Sequence, residues 1–203
     1  MAGVDDHLVR NYFEMHGFFV RQSRKPVVSA RRKRPAEDGD LLVINPTPRA
    51  GGELPFQLFS SDLPGLSSAM IAVRVGHTSK ALTPGMIKKG ELLEFIRKEA
   101  VEAAREAFTD LTVNATTPLA KIIILPGLPT QEPQRSESIQ LLRASGVDHV
   151  LTFRTILENL VQAVESHPGE NPSELLQFLR LLRIYDMVKS GQMELFGNTP
   201  FEK

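Results

Sequence analysis

The sequence has no cysteine, and this absence removes three classes of site together. None of the 203 residues is Cys, so disulfides, thiolate zinc sites and a cysteine nucleophile are all excluded. The chain also has no net charge, because 24 Lys and Arg residues balance 24 Asp and Glu residues. A neutral molecule has no overall field that draws it to nucleic acid or to an anionic membrane, so such binding requires a local patch.

Long apolar stretches are also missing. No stretch approaches about 20 uninterrupted apolar residues, and the first residues include Asp5 and Asp6 with no apolar signal-peptide core. The sequence therefore predicts a cytoplasmic protein with no membrane partner. A hydrophobic fraction of 41% and a charged fraction of 24% are typical of a globular chain of this length with a proper core.

Several familiar sites are excluded by spacing. The sequence contains no G-x-G-x-x-G, no G-x-x-x-x-G-K-[ST] and no H-E-x-x-H, which excludes the common nucleotide-binding loops and the zincin site. The five histidines are scattered without metal-ligand spacing. No histidine is therefore predicted to bind a metal.

The apolar residues that are present follow alternating periods along the chain, which predict both helices and strands. The predicted elements are a helix over 3–16, strands over 18–28, 40–44 and 70–75, a helix over 83–108, a strand over 121–125, a helix over 136–145, a strand over 147–153, and helices over 155–166 and 171–189. The segment 46–67 is rich in Pro, Gly and Ser and is predicted to be a loop, with Phe56, Leu58 and Phe59 reaching the core.

This order of elements predicts an α/β fold. Three consecutive strands followed by alternating strands and helices indicate a mixed sheet, with an antiparallel meander on one side and right-handed parallel crossovers on the other. Helices should cover both faces. We expect one α/β domain over 1–166, a C-terminal helix over 167–190 that packs on or extends it, and a tail over 191–203.

Positive charge is concentrated near the first predicted hairpin. Residues 21–34 contain seven basic residues and no acidic one, namely Arg21, Arg24, Lys25, Arg31, Arg32, Lys33 and Arg34. Such a run is typical of a solvated hairpin, and it also fits a patch that contacts the phosphates of DNA. DNA is therefore the candidate partner outside the chain itself.

The order of elements, together with one acid in place, resembles the PD-(D/E)XK nuclease superfamily, which has the restriction-endonuclease-like fold. The matching pieces are the first helix with Glu14, the hairpin leading to Asp40 at the start of the second strand, the third strand, the long helix and the strand over 121–125. The resemblance covers roughly residues 3–125.

The resemblance implies a site in which carboxylates hold one or two Mg²⁺ or Mn²⁺ ions and a lysine assists the attacking water. Carried over to this chain, the acids fall on Asp40 and Glu14, as metal ligands and catalytic residues. The E-x-K positions of the third strand fall on Arg74 and Gly76, and neither matches. An arginine repels a dication by about 1 kcal/mol even in water, and glycine has no ammonium group.

The sequence thus predicts a nuclease-like domain that has lost its metal site. We expect no cofactor, and we expect an ion pair between Arg74 and either Asp40 or Glu14. Such a domain would serve as a nucleic-acid-associated or interaction module. Two alternatives stay open. One is an active Mg²⁺- or Mn²⁺-dependent DNA endonuclease that uses Asp40, Glu14 and a displaced Lys80. The other is a scaffolding protein that forms a homodimer through an apolar stripe on the last helix, made of Leu175, Phe178, Leu179, Leu182 and Tyr185.

Overall fold

The computed structural model describes residues 3–22, 40–49, 52–74, 82–88, 93, 101–102, 106, 119–166 and 173–187. The chain divides into two compact units, Met1–Leu157 and Glu158–Lys203. The boundary between the units lies inside a helix.

A six-stranded mixed sheet forms the centre of the first unit. Its strands are β1 (Phe19–Gln22), β2 (Leu41–Ile44), β3 (Gln57–Leu58), β4 (Ser68–Val73), β5 (Ala120–Leu125) and β6 (His149–Thr152). They lie in the order β1-β2-β4-β5-β6-β3. The strands β1, β2 and β4 form an antiparallel meander, whereas β4, β5, β6 and β3 run parallel. The predicted α/β class with a mixed, helix-flanked sheet is confirmed.

Helices follow the order that the sequence predicts. They are α1 (Val4–Met15), a 3₁₀ helix (Ser60–Gly65), α2 (Pro84–Lys88), α3 (Gln134–Ala144), α4 (Phe153–Ser166) and α5 (Glu174–Ile184). The start of the helix predicted over 83–108 is confirmed by α2, and residues 101, 102 and 106 are also helical. Leu93 is in a 3₁₀ conformation, and the other residues of that predicted helix lie outside the described part of the chain. No helix in the described part of the chain is long and apolar enough to cross a membrane.

Apolar side chains pack against both faces of the sheet because successive residues of a strand point to opposite sides. On one face, Leu42, Met70 and Ile123 join a buried cluster to which α2 and α3 contribute Ile87 and Leu142. On the other side, α1 packs against the meander strands β1, β2 and β4 and buries Leu8, Val9, Tyr12 and Phe13. The strand β5 is buried from residue 122 to residue 125, as expected for a central strand covered on both faces.

The loop predicted over 46–67 contains the largest departure from the sequence-based prediction. Its residues Gln57 and Leu58 form β3, which pairs in parallel with β6 at the edge of the sheet. Leu58 is buried and Phe56 packs against the core, as predicted. The prediction for Phe59 is wrong, because the chain turns outward into the 3₁₀ helix there and leaves its ring exposed.

In the second unit, α5 exposes part of its apolar surface. Of the stripe predicted on this helix, Phe178 and Tyr185 are exposed, while the three leucines are half-buried. Two further apolar residues, Leu181 and Ile184, are also exposed. The residue of α5 that is buried is Leu176, which the predicted stripe did not include.

Candidate functional site

Asp40 and Arg74 meet where β2 begins and β4 ends, because these two neighbouring strands are antiparallel. Asp40 directly precedes β2 and Arg74 directly follows β4. The register pairs Leu41 with Ile71, which places the start of β2 beside the end of β4. The parallel strands β4 and β5 both end at this position.

The two side chains form a largely buried ion pair. The Arg74 Nη2 atom lies 3.3 Å from Asp40 Oδ1, and the exposed fractions of the two side chains are 19% and 5%. Arg74 Nη1 donates a hydrogen bond to the carbonyl oxygen of Val73 over 2.9 Å. The backbone N–H of Arg74 donates to the carbonyl oxygen of Ile124 over 3.0 Å, which ties the residue to β5. The predicted ion pair between Arg74 and Asp40 is confirmed.

This ion pair changes what the site can do chemically. The guanidinium is a fixed positive charge, and it lies against a carboxylate oxygen of Asp40. A metal ion would have to displace a cation from a buried carboxylate. The described residues beside Asp40 and Arg74 therefore do not fit a Mg²⁺ or Mn²⁺ ion.

Glu14 makes a different contact. It lies in the last turn of α1, where its carboxylate is 3.5 Å from Arg10 Nη1, and its side chain is half-exposed. Together with Arg21, Leu42 and others it lines a cavity of about 330 Å³ beside β1. The alternative pairing of Arg74 with Glu14 is wrong, because the guanidinium contacts Asp40 instead.

The other predicted site residues are placed only in part. Arg21 is exposed on β1, whereas Gly76, Lys80 and the remaining basic residues, Arg24, Lys25, Arg31, Arg32, Lys33 and Arg34, lie outside the described residues. Within the described ranges, no three His, Asp or Glu side chains come together in a way that could hold a metal ion.

The sequence did not indicate a second concave region, which lies where β4, β5 and β6 begin, at the strand ends opposite to Asp40 and Arg74. A cavity of about 740 Å³ is lined there by residues that include Phe56, Arg143 and His149. These residues come from a loop, from the end of α3 and from the start of β6. No local sequence pattern links them, because only the parallel pairing of β3 with β6 brings the loop to this position.

Comparison with known proteins adds no second line of evidence. No known protein family, curated protein or solved structure matches the chain. Functional inference therefore rests on the side chains and on the strand order described above.

Proposed function

We propose that the first unit is a restriction-endonuclease-like domain of the PD-(D/E)XK type that has lost metal-dependent phosphodiesterase activity. In this proposal it acts as a nucleic-acid-associated or interaction module. The observation that carries the proposal is the buried ion pair between Arg74 and Asp40. A metal-dependent nuclease of this type needs a free carboxylate at the position of Asp40 and a second ligand at the position of Arg74.

The strand order supports the proposal. The helix α1 precedes β1, β2 is antiparallel to both β1 and β4, and β5 is parallel to β4. This is the order of elements on which the resemblance rests, with Asp40 at the start of β2. A fold hosts many functions, however, so the identity of the side chains at the site carries more weight than the order.

We expect the wild-type chain to leave supercoiled plasmid and single-stranded DNA uncut in Mn²⁺, because Arg74 occupies the place of a metal ligand. The measurement compares wild type, Asp40→Ala and the double variant Arg74→Glu with Gly76→Lys, which restores the pattern of charged side chains. Cleavage by the double variant alone would support loss of an ancestral site. Metal-dependent cleavage by wild type that disappears in Asp40→Ala would contradict the proposal and favour an active endonuclease that uses a displaced lysine such as Lys80.

Nucleic-acid association is supported by the position of the basic run along the chain. The run belongs to the connection between β1 and β2, and the register pairs Gln22 with Leu41. Both ends of this connection therefore lie at the same ends of the strands as Asp40 and Arg74. Positive charge on such a connection would contact a phosphate backbone passing over these strand ends.

Reversing the charge of three residues in the run tests this part of the proposal. We expect the variant with Arg31, Arg32 and Arg34 changed to Glu to bind duplex DNA more weakly, with the slope of log K against log salt reduced by about 3 units. The measurement is fluorescence anisotropy at several salt concentrations. The matched control changes Arg49, Lys189 and Lys203 to Glu, which alters the net charge equally outside the run. Equal affinities of the two triple variants would refute phosphate binding by the run.

The exposed apolar residues of α5 favour self-association as a second candidate function. Phe178, Leu181, Ile184 and Tyr185 present apolar surface on one short helix, and apolar patches of this kind are typical of interaction surfaces. A homodimer through this helix stays a prediction, and molecular mass measured against concentration would test it.

A further inference from the structure

The larger cavity lies at the ends of the strands opposite to those that hold Asp40 and Arg74. Residues at the starts of three parallel strands line it, namely Ser68 of β4, Ala120 of β5 and His149 of β6. Its volume of about 740 Å³ is within the range of roughly 300 to 1,000 Å³ that is typical of small-molecule sites.

Arg143 supplies a cation that is held in place on one side and open on the other. It lies in the last turn of α3, and its guanidinium carbon is 4.7 Å from the centre of the Phe56 ring. A guanidinium over an aromatic face is held by a cation–π interaction that leaves its N–H groups available. Among the described residues, no carboxylate or other acceptor binds these N–H groups.

His149 adds a second polar atom. Its Nδ1 lies 2.9 Å from the carbonyl oxygen of Pro55, and a carbonyl only accepts hydrogen bonds. The Nδ1 atom therefore carries a proton and donates it, which leaves Nε2 as the ring atom open to a ligand. In the neutral ring Nε2 accepts a hydrogen bond, and in the protonated ring it donates one.

The negative charges around the cavity are few. The Asp148 carboxylate accepts a hydrogen bond from the backbone N–H of Lys121 over 2.8 Å, and the Lys121 Nζ atom lies 3.6 Å from it. Glu53 is the other carboxylate of the lining, and its side chain is exposed. These two carboxylates disfavour a dianionic ligand more than a monoanionic one.

The rest of the wall is mixed. Leu66, Leu119 and Val147 line the cavity but are themselves buried, whereas Ser67 and Ser68 add polar groups. The lining thus combines one open guanidinium with a wall whose exposed surface is more polar than apolar.

We propose that this cavity binds a small organic monocarboxylate. The carboxylate accepts the parallel N–H donors of Arg143, since guanidinium and carboxylate match in a bidentate geometry. The rest of the ligand lies beside the starts of β4, β5 and β6. This binding site is independent of the proposed function at Asp40 and Arg74.

The test uses the full chain and three probes that share a phenyl ring, namely phenylacetate, the neutral phenylacetamide and phenyl phosphate. We expect phenylacetate to bind with a dissociation constant on the order of 1 mM or below. In two-dimensional NMR it should shift the backbone amides of Ser67, Ser68 and Ala120. Arg143→Gln should weaken binding at least about tenfold. Arg49→Gln is the matched control and should leave the affinity unchanged, because Arg49 is exposed and does not line the cavity.

Several results would overturn the proposal. These are no shift at the cavity with phenylacetate, equal binding of phenylacetamide, tighter binding of phenyl phosphate, or an unchanged affinity in Arg143→Gln. If Arg143→Gln does not fold, Arg143→Lys replaces it, since lysine keeps the charge but lacks the planar pair of donors. We expect that variant to bind phenylacetate about threefold or more weakly, and an unchanged affinity there would also overturn the proposal.

Discussion

Replacing Arg74 with methionine is expected to lower the free energy of unfolding by about 3 kcal/mol at pH 7. Methionine replaces the unbranched apolar stem of arginine but removes the positive charge. Asp40, of which 5% is exposed, would then be a buried carboxylate that has lost its contact with this guanidinium. Removing one partner of a buried pair is costly because the remaining charge has already lost its hydration.

Urea denaturation of four chains measures this effect. They are wild type, Arg74→Met, Asp40→Asn and the double variant, which together form a double-mutant cycle. We expect the double variant to be more stable than Arg74→Met, because a neutral amide is cheaper to bury than a carboxylate that has lost a cationic contact.

Arg10→Met is the matched control for loss of an arginine. It removes the exposed pair with Glu14, whose side chains are 35% and 46% exposed, and such pairs contribute below about 0.5 kcal/mol. A loss in Arg74→Met no larger than that in Arg10→Met would contradict a stabilising role for the buried pair.

Replacing Tyr12 with phenylalanine is expected to raise the free energy of unfolding by about 1 kcal/mol at neutral pH. Tyr12 is fully buried, and its phenolic oxygen has no hydrogen-bond partner among the described residues. A buried hydroxyl without a partner has lost its hydrogen bonds to water and gained none in return. Phenylalanine retains the ring and its edge contact with Phe13, whose centroid lies 5.3 Å away.

The same substitution should change the alkaline stability. Burial raises the pKa of the Tyr12 phenol, and the nearby Asp62 carboxylate raises it further. In the unfolded chain the phenol has a pKa of about 10. The folded chain therefore keeps this proton at a pH where the unfolded chain releases it. The free energy of unfolding of the wild type is therefore unaffected by this titration below about pH 10 and falls as the pH rises above it. The advantage of Tyr12→Phe over wild type should grow above about pH 10.

Urea denaturation at neutral and alkaline pH checks both parts. Tyr185→Phe is the matched control, because Tyr185 is the chain's other tyrosine and is exposed. We expect the control to leave the free energy of unfolding unchanged within about 0.5 kcal/mol. Destabilisation by Tyr12→Phe at neutral pH would show that the phenolic oxygen makes a stabilising hydrogen bond.

The central feature of the candidate site could be predicted through the resemblance. It assigned Asp40 to the start of the second strand and Arg74 to the end of the third, and the structure has them directly before β2 and directly after β4. Once the two strands are antiparallel neighbours, these positions bring the side chains together. The position of Glu14 was less predictable, since its helix alone supplies a partner in Arg10 one turn earlier.

The amino-acid sequence by itself determined the absence of thiol chemistry, the neutral overall charge and the periodic patterns that form α1, the meander and β5. These properties depend on composition and on neighbours within a few residues. Only the tertiary structure decided that the short β3 joins the far edge of the sheet, and that Phe56 meets Arg143 beside His149. Such contacts join residues far apart in the chain, and their free energy depends on the packing of the whole domain, which no local pattern encodes.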